Sequence, residues 1–541
     1  MEWFRDAVVY ELQVPRFMDG DGDGLGDLVG LTSRLEYLAD LGVTCLWLGP
    51  FFDSPRQDDG YDVRDYYAID PALGTEAQFE RLMHRLDSLG MRAIVDMPFN
   101  HTSVEHHWFQ SARSDPGSPY RDFYQWSDEP GGDVNVVGEP SAWTYDEAAG
   151  RYYYHAFFGF QPDLDLANPR VRAELAKVVD HWMGFGVSGF RLDAVPLMLD
   201  EPDEQGFDLL ADIRRHVEVR WPEAVVLAEG DVGPAELTRY FGDGDRVHAA
   251  LSFYTSAHLG LALVEGRARA LERALRTLRP PPAGCTYANF VRSHDEWSFR
   301  QVGEEERQAV FAAFDPTGEG RMFHTGLRRR LAPLLGGDAR RLRLAYSLLL
   351  TLPGTPVLYY GDEIGMGDDL AVEGRGAVRT TMQWDAGANG GFSEAPADAL
   401  AAPVVSSGPF AYDRVNVAAQ SEDAGSLLNW FRAALRARRA FPEFGRAGTA
   451  QVLATGDPRV LAHACRADGC VSLALHNLSG EEVEVAVPEA LVPAAAPGPG
   501  DVAMRGTAEG AVRAFGDADV GPGGRVRLGP YGHRWLRTGG G

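Results

Sequence analysis

The stretch Gly189-Phe190-Arg191-Leu192-Asp193-Ala194-Val195 is a short apolar run that carries an arginine and a carboxylate two residues apart. Residues at this spacing on a β-strand point to the same face of the sheet, so Arg191 and Asp193 are expected to lie side by side. A neighbouring guanidinium favours the charged form of a carboxylate. The pattern therefore predicts a lowered pKa for Asp193 and a group suited to act as a nucleophile.

Two further segments repeat the pattern of an apolar strand followed by an acid. They are Val225-Val226-Leu227-Ala228-Glu229, and Tyr287-Ala288-Asn289-Phe290-Val291 followed by His294-Asp295. The carboxyl ends of parallel barrel strands meet at one rim, which is where TIM-barrel enzymes place their active sites. Each acid could instead cap a following helix. Three such acids in one chain favour a catalytic cluster.

Short apolar runs alternate with amphipathic helical segments, as in parallel βαβ units. Eight units over about four hundred residues predict an α/β fold of the (β/α)8 TIM-barrel type. A doubly wound open sheet is the alternative, although it usually carries its chemistry at a single switch point. The predicted strands are residues 8–12, 44–48, 92–97, 189–192, 224–228, 249–253, 287–291 and 356–360, and the predicted helices include 31–41, 76–89, 340–352 and 427–439.

The composition divides the chain into three predicted domains. Residues 1–100 and 166–447 form the catalytic barrel. Residues 101–165, rich in aromatic residues, Gly, Pro and Asp, form an inserted domain B after the third strand, and a second insertion runs from residue 296 to about 335. Residues 448–541 are predicted to form an antiparallel β-sandwich domain without chemistry of its own, in which the Ala/Pro/Gly-rich residues 493–500 are a linker or loop.

The charge balance disfavours several classes of partner. The 541 residues carry a formal net charge of -27, which opposes binding to nucleic acid and to anionic membranes. A small molecule is therefore the expected partner, and the sequence leaves homo-oligomer formation open. The only lysine, Lys177, lies three residues after Glu174 in a predicted helix that begins at Asn168 and Pro169. Phosphate-binding loops and Schiff-base chemistry, which need a lysine, are therefore disfavoured.

The chain is expected to be cytoplasmic, because its first residues lack the pattern of a signal peptide and no apolar run is long enough to span a bilayer. The four cysteines form no paired CxxC motif and predict no zinc site. Cys465 and Cys470 flank a predicted hairpin turn and could face each other, but free thiols are favoured without a secretion signal.

The segment Asp19-Gly20-Asp21-Gly22-Asp23-Gly24-Leu25-Gly26-Asp27 alternates acids with glycines. This spacing curls carboxylates around a hard cation and predicts a structural Ca²⁺ or Mg²⁺ site with no organic cofactor. Gly30 stands where an EF-hand requires its last acid, so the loop is only EF-like. An acidic turn exposed to solvent is the alternative. The predicted ligands are Asp19, Asp21, Asp23, the carbonyl of Leu25, and Asp27.

Taken together, these motifs resemble the α-amylase family of glycoside hydrolases (family 13), and within it most closely the trehalose synthases. The similarity runs from residue 3 to about residue 445. The motifs that carry it are Asp58-Asp59-Gly60-Tyr61-Asp62, Asp96-Met97-Pro98-Phe99-Asn100-His101, Gln161-Pro162-Asp163-Leu164-Asp165, residues 189–195, Leu227-Ala228-Glu229, His294-Asp295 and Val378-Arg379-Thr380-Thr381-Met382-Gln383-Trp384.

The resemblance implies a retaining double displacement, in which two carboxylates about 5 Å apart share the work. Asp193 would be the nucleophile, Glu229 the general acid and then base, and Asp295 the group that stabilises the transition state. Glu229 follows an apolar strand, so burial should raise its pKa. The implied subsite for a terminal glucose, with Asp58 and Arg379 as its clamp, consists of Asp58, Tyr61, His101, Arg191, His294 and Arg379. A second cation site would use Asn100, Asp163 and Asp200.

The chain departs from the trehalose synthase pattern at several positions. Gly230-Asp231-Val232-Gly233-Pro234-Ala235 replaces the usual Ala-Asn-Gln-Trp-Pro-Glu, and other departures are Phe253-Tyr254-Thr255-Ser256-Ala257, Ser293, Thr381 and Gln13. These changes are expected to cluster where the leaving or accepting sugar binds. They favour hydrolysis of small α-glucosides, or transfer to another acceptor, over isomerisation of maltose to trehalose, which is the alternative. An inactive amylase-like binding scaffold is disfavoured because all three acids are kept.

Overall fold

The computed structural model describes residues 2–132, 134–199, 204–488, 513–517, 519–520 and 524–538. The predicted linker at 493–500 lies outside these ranges. No helix in the described part of the chain is both long and apolar enough to cross a bilayer.

Eight parallel strands close into a barrel, as predicted. In spatial order the strands run β1-β8-β7-β6-β5-β4-β3-β2, and each β-strand pairs with its neighbours in the chain. The sixth strand ends two residues before its predicted end, because the Ser252 side chain accepts a hydrogen bond from the Thr255 amide and starts a helix there. The strands are β1 Val9–Leu12, β2 Cys45–Leu48, β3 Arg92–Met97, β4 Gly189–Leu192, β5 Val225–Ala228, β6 Ala249–Leu251, β7 Thr286–Phe290 and β8 Thr355–Tyr359.

Helices surround the barrel and connect its strands. The predicted helix 31–41 is two helices that meet at Arg34, whose backbone leaves helical geometry (φ -104°, ψ 3°). The α-helices are Trp3–Asp6, Val14–Phe17, Leu28–Ser33, Leu35–Leu41, Glu76–Ser88, His107–Ser114, Pro169–Gly184, Val195–Met198, Glu204–Arg220, Pro234–Phe241, Phe253–Glu265, Arg269–Thr277, Glu304–Phe314, Leu331–Leu334, Ala339–Thr351, Val417–Glu422, Leu427–Arg439 and Glu443–Arg446.

The barrel interior changes from apolar to polar along its axis. Val9 of β1 and Ile94 of β3 belong to the apolar cluster that fills the inside. Two residues further along the same strands, on the same face, stand the buried acids Glu11 and Asp96. Asp96 pairs in register with Arg191 of β4. The carboxyl end of the barrel therefore has a charged floor.

Two insertions rise over this end of the barrel. The predicted domain B contains the helix His107–Ser114 and a three-stranded antiparallel sheet. The second insertion, after β7, forms another small antiparallel sheet. The strands of the first sheet are Trp126–Ser127, Arg151–Tyr154 and Trp143–Asp146, and those of the second are Trp297–Ser298, Gly326–Leu327 and Arg321–Met322. A two-stranded sheet joins Phe52–Asp53 to Asp65–Ile69.

The C-terminal region contains two antiparallel sheets that pack face to face. One has five strands in the order β9-β10-β11-β16-β13 and the other has three in the order β12-β15-β14. Residues from both sheets, such as Leu473 and Val526, share one apolar core. The strands are β9 Ala450–Leu453, β10 Val460–Ala467, β11 Cys470–Asn477, β12 Val483–Ala486, β13 Arg513–Gly516, β14 Asp519–Val520, β15 Arg525–Leu528 and β16 His533–Thr538.

The suggestion that Cys465 and Cys470 could face each other is wrong. In the hairpin of β10 and β11, Cys465 lies opposite Ser472 and Cys470 lies opposite Ala467. The register is set by a tight turn at Asp468 and Gly469, which both have positive φ. All four cysteines are free thiols and buried.

Candidate active site

A cavity of about 250 Å³ opens at the carboxyl end of the barrel. It contains most of the predicted catalytic and substrate-binding residues. Arg191 and Arg379 do not line it but lie buried against its acids. The predicted residues that line the cavity are Asp58, Tyr61, His101, Asp193, Glu229, His294 and Asp295.

The carboxylates of Asp193 and Glu229 both contact the buried guanidinium of Arg191. Nη1 of Arg191 bonds Oδ1 of Asp193, and Nη2 lies 3.3 Å from Oε2 of Glu229. The amide of Ala194, the residue after Asp193, donates to the same Glu229 oxygen at 2.8 Å. Ala194 has φ 48°, a left-handed conformation that strains a residue with a side chain. This turn holds the two carboxylates next to each other.

The expectation of a lowered pKa for Asp193 is wrong. Burial raises its pKa to about 6, because desolvation outweighs the attraction of Arg191 and because Asp96 and Asp295 lie nearby. Burial likewise raises the pKa of Glu229 to about 7, as predicted, with Asp193 and Asp295 adding to the effect against Arg191. The order is nevertheless the one that retaining chemistry needs, since Asp193 loses its proton before Glu229.

Asp295 lies in a cationic environment. Its Oδ1 is 3.1 Å from Nε of Arg375 and 2.9 Å from Nη2 of Arg379, and Nε2 of His294 is 3.4 Å away. Burial opposes its charge, but Arg375, His294 and Arg379 together lower the pKa of Asp295 well below its usual range. Asp295 is therefore held as a carboxylate.

Two aromatic rings close the bottom of the cavity. The Tyr61 ring stacks on His294 at 5.4 Å, and its hydroxyl lies 3.0 Å from Oδ2 of Asp96 and 2.7 Å from Nε2 of His294. Nδ1 of His294 bonds Glu11. Although burial opposes the charge of His294, the acids Asp295 and Glu11 raise its pKa. His294 is therefore stabilised as a cation.

His101, in contrast to His294, is stabilised in its neutral form. Its Nε2 lies 3.2 Å from the Tyr61 carbonyl, and burial lowers its pKa to about 4. A neutral imidazole next to the cavity can exchange hydrogen bonds with a sugar hydroxyl. Asp58 accepts a hydrogen bond from Nε2 of Gln161 at 3.1 Å, which orients its carboxylate.

Asp58 and Arg379, the predicted clamp of a terminal glucose, do not pair directly with each other. Nη1 of Arg379 lies 2.7 Å from Oδ2 of Asp59, which also pairs with Arg16 at 2.6 Å. No hydrogen bond or ion pair joins Asp58 to Arg379, both of which the structure describes. Asp58 faces the cavity, whereas Arg379 lies behind it and holds Asp295.

Four residues important to this geometry were missed from the sequence. Asp96 and Glu11 could have been found, because each is an acid inside an otherwise apolar strand. Arg375 and Phe323 have no such local signal. Arg375 lies in a short 3-10 helix and Phe323 in a turn, and only the tertiary structure brings them to Asp295 and to the cavity.

The departures from the trehalose synthase pattern divide into two groups. Gly230, Asp231, Val232 and Phe253 line the cavity, as expected. Asp231 accepts hydrogen bonds from Ser298 at 2.5 Å and Gln301 at 2.8 Å. The single-residue departures Gln13, Ser293 and Thr381 are buried and do not line the cavity. That the departures cluster where the leaving or accepting sugar binds stays a prediction.

The acidic loop brings three of its predicted ligands together. Asp19, Asp21 and Asp27 each offer an oxygen within 4.8 Å of the others. Asp19 is also fixed by the amides of Gly22 and Gly24 and by Ser393. The Asp23 side chain is outside this group and accepts from the Leu25 amide at 2.8 Å. Carboxylate oxygens in this arrangement fit a hard cation.

The second cation site stays a prediction. Asn100 is buried with an unpartnered Nδ2, and its carbonyl accepts from the Leu164 amide, which brings Asp163 close. Asp163 accepts from the Ala156 amide at 3.0 Å. The third predicted ligand, Asp200, lies outside the described residues.

Comparison with known proteins identifies the family. A model of the alpha-amylase catalytic domain matches residues 13–295 and 324–446, and a model of the C-terminal immunoglobulin-like domain of D-apionate lactonase matches residues 457–536. A solved alpha-glucosyl transfer enzyme superimposes with a TM-score of 0.77 at 26% identity, over 99% of both chains.

Two curated relatives are named trehalose synthase. The one from Thermus thermophilus is 43% identical over 88% of this chain and 50% of its own length, so the chain spans about half of that relative. The one from Pimelobacter sp. (strain R48) is 40% identical over 88% of this chain and 87% of its own. With the family model matching most of the chain and the cavity lying inside the matched barrel, this protein belongs to the α-amylase family of glycoside hydrolases (family 13).

Proposed function

We propose that this protein is a retaining enzyme that hydrolyses small α-glucosides, such as disaccharides, or transfers their glucosyl group to another acceptor. The observation that carries the proposal is the meeting of Asp193 and Glu229 on Arg191 inside the cavity. Two adjacent carboxylates, of which Asp193 loses its proton before Glu229, are what double displacement requires.

In the first step, a carboxylate oxygen of Asp193 attacks the anomeric carbon of the bound glucosyl group. The bond to the leaving oxygen breaks as Glu229 gives that oxygen its proton. The product is a β-glucosyl ester on Asp193. In the second step, Glu229 takes a proton from water or from a sugar hydroxyl, and the resulting nucleophile displaces Asp193.

The surrounding groups stabilise the charge that develops on the sugar ring. The Asp295 carboxylate, kept ionised by its two arginines, is placed to bind hydroxyls and to stabilise an oxocarbenium-like transition state. Tyr61 and His294 close the cavity below a terminal glucose. A cavity of about 250 Å³ suits a small glucoside rather than a polysaccharide.

Isomerisation of maltose to trehalose is the second candidate, and the names of the 40–43% identical relatives favour it. It requires the released glucose to be held and reattached before water intervenes. In this chain Gly233 and Asp231 stand where the trehalose synthase pattern has Trp and Asn, which supports a weaker hold on that glucose. Incubation with maltose, trehalose, sucrose, kojibiose and nigerose, followed by NMR of the anomeric protons, distinguishes the two candidates. Trehalose formed from maltose with little free glucose would favour isomerisation, whereas inactivity on every substrate would favour the binding scaffold.

We expect a narrow, bell-shaped pH profile of kcat/KM with a maximum between pH 6 and 7. Activity rises as Asp193 loses its proton at a pKa of about 6, and falls as Glu229 loses its proton at a pKa of about 7. The two groups interact, so the apparent values belong to the pair. Initial rates on maltose from pH 4 to 9 test this, and a plateau extending to pH 9 would contradict it.

We also propose that Asp19, Asp21 and Asp27 hold Ca²⁺ or Mg²⁺, which stabilises the loop after β1 and takes no part in the reaction. The pKa of Asp21 is raised by partial burial and by the negative charges of Asp23, Asp27 and Asp19, a repulsion that a bound cation would relieve. The second cation site and its ligands Asn100, Asp163 and Asp200 belong to the same proposal.

Removing the charge of Asp21 should uncouple stability from calcium. In wild type, calcium at about 100 times its Kd should add about 2.7 kcal/mol and raise Tm measurably. Asp21→Asn should remove most of this shift, while its Tm in chelator should equal or exceed that of wild type because repulsion is reduced. Asp413→Asn changes an exposed acid outside the group and should behave as wild type. Equal calcium shifts in all three proteins, measured by thermal melts, would contradict the site.

The four free thiols support the proposed location in the cytoplasm, where thiols stay reduced. The net charge of -27 supports a small-molecule partner over nucleic acid or an anionic membrane.

A further inference from the structure

The tip of the hairpin in the second insertion brings one aromatic side chain to the cavity. Phe323 lies between the strands Arg321–Met322 and Gly326–Leu327 and lines the cavity. Phe323 (φ 47°) and His324 (φ 59°) are consecutive residues with side chains in the left-handed region. A bulky residue rarely adopts this conformation unless the surrounding structure imposes it.

Arg375 connects this ring to the catalytic acids. Its guanidinium carbon lies 5.4 Å from the centre of the Phe323 ring, within the range of a cation–π contact. The same guanidinium is 3.1 Å from Oδ1 of Asp295 and 2.8 Å from Oε2 of Glu296. The ring position is therefore fixed relative to Asp295.

The hairpin is also anchored along its length. Arg328 donates to the carbonyl of Val372 at 2.5 Å, and Arg329 pairs with Asp368 at 2.9 Å. Gly326 packs so closely against Glu296 that a Cβ atom there would lie 2.4 Å from Cγ of Glu296. These contacts join the hairpin to the segment that carries Arg375, so they fix the position of Phe323 at the cavity.

The hairpin that carries Phe323 belongs to the same small sheet that reaches Asp231, since Ser298 pairs with Gly326 in that sheet. Ser298 and Gln301, from the same insertion, donate to Asp231, which lies two residues after Glu229. Glu229 protonates the leaving oxygen, so the leaving sugar is next to this loop. Under the proposed function, the terminal glucose binds against Tyr61 and His294, at the closed end.

We propose that Phe323 is the acceptor-side platform of this enzyme, and that its ring packs on the apolar face of the sugar released in the first step or accepted in the second. The inference rests on the proposed function and names a residue that sets its outcome. By holding a sugar next to the glucosyl ester, Phe323 raises the share of ester that a sugar hydroxyl intercepts before water does.

The test measures how the glucosyl ester divides between water and a sugar. The donor is ¹³C-labelled α-glucosyl fluoride, which has no leaving sugar, and the acceptor is unlabelled glucose at increasing concentration. NMR then distinguishes labelled glucose, the product of hydrolysis, from labelled disaccharide, the product of transfer. Phe323→Ala is expected to lower the transfer-to-hydrolysis ratio about five- to tenfold, the size of one aromatic contact. Phe323→Tyr keeps the ring and should retain the wild-type ratio.

His324→Gly is the matched control. It removes backbone strain at the same hairpin tip, while His324 is exposed and does not line the cavity. The wild-type ratio is expected for this variant. Three results would overturn the inference while fluoride release continues. They are a Phe323→Ala ratio equal to that of wild type, a wild type that transfers nothing at any glucose concentration, and a His324→Gly loss as large as that of Phe323→Ala. A wild type that releases no fluoride would contradict the proposed function itself.

Discussion

Replacing Asp193 with Ala is expected to lower kcat/KM on α-glucosides by about 10⁴-fold or more, because no covalent intermediate can form without the nucleophile. The buried neighbours of Asp193 supply only the electrostatic environment of the sugar. Arg191 keeps Asp96 as an ion-pair partner at 2.7 Å, so the charged floor of the barrel remains paired. Initial rates on maltose and on an activated aryl α-glucoside measure the loss.

Azide distinguishes a missing nucleophile from a damaged fold. In Asp193→Ala, azide can occupy the space of the carboxylate and attack the same face of the sugar, so the activated donor should yield β-glucosyl azide. Asp193→Asn, which keeps the side-chain volume, should be equally inactive without azide. Residual activity above about 1% of wild type in both variants would remove Asp193 from the role of nucleophile.

Replacing Glu229 with Gln is expected to lower kcat/KM on maltose by about 10³-fold, because the leaving alkoxide then receives no proton. Glutamine can still accept from the Ala194 amide, so the geometry is kept. α-Glucosyl fluoride needs no proton to leave, and its kcat/KM should fall by no more than about tenfold. The alkaline fall of the pH profile should also disappear.

The comparison of the two donors separates general acid catalysis from a loss of binding. Asp58→Asn changes an acid that lines the same cavity at the subsite of the terminal glucose, which both donors carry, and should affect both donors to the same extent. Equal losses on maltose and fluoride in Glu229→Gln would contradict the assignment of Glu229 as the acid.

The barrel could be predicted from the sequence because its signal is local. Each strand is a short apolar run, and all eight lie within about two residues of their predicted bounds. The break of the first long helix at Arg34 was not predictable from periodicity, since Leu31, Leu35 and Leu38 continue the apolar stripe across it. The prediction that Cys465 and Cys470 could face each other was wrong for a related reason. Hairpin register depends on turn geometry, which the spacing of Cys465 and Cys470 does not specify.

The catalytic acids could be predicted because each follows an apolar strand. Their charge states, however, depend on how deeply each carboxylate is buried and on its neighbours in the folded protein. Arg191 is two residues before Asp193 in sequence, and its attraction was expected to decide the pKa of Asp193. Full burial and the unforeseen neighbour Asp96 shift it in the opposite direction. The positions of Arg375 and Phe323 depend on contacts between the second insertion and the segment after β8, and no local pattern encodes such contacts.

The most direct test of the account is the identity of the residue that carries the glucosyl group. In Glu229→Gln, α-glucosyl fluoride should form the ester and then stall, because the second step lacks its base. Acid quenching, proteolysis and mass spectrometry should then find one hexosyl group, on the peptide that contains Asp193. A hexosyl group on another residue, or continued fluoride release with no labelled peptide, would contradict the account.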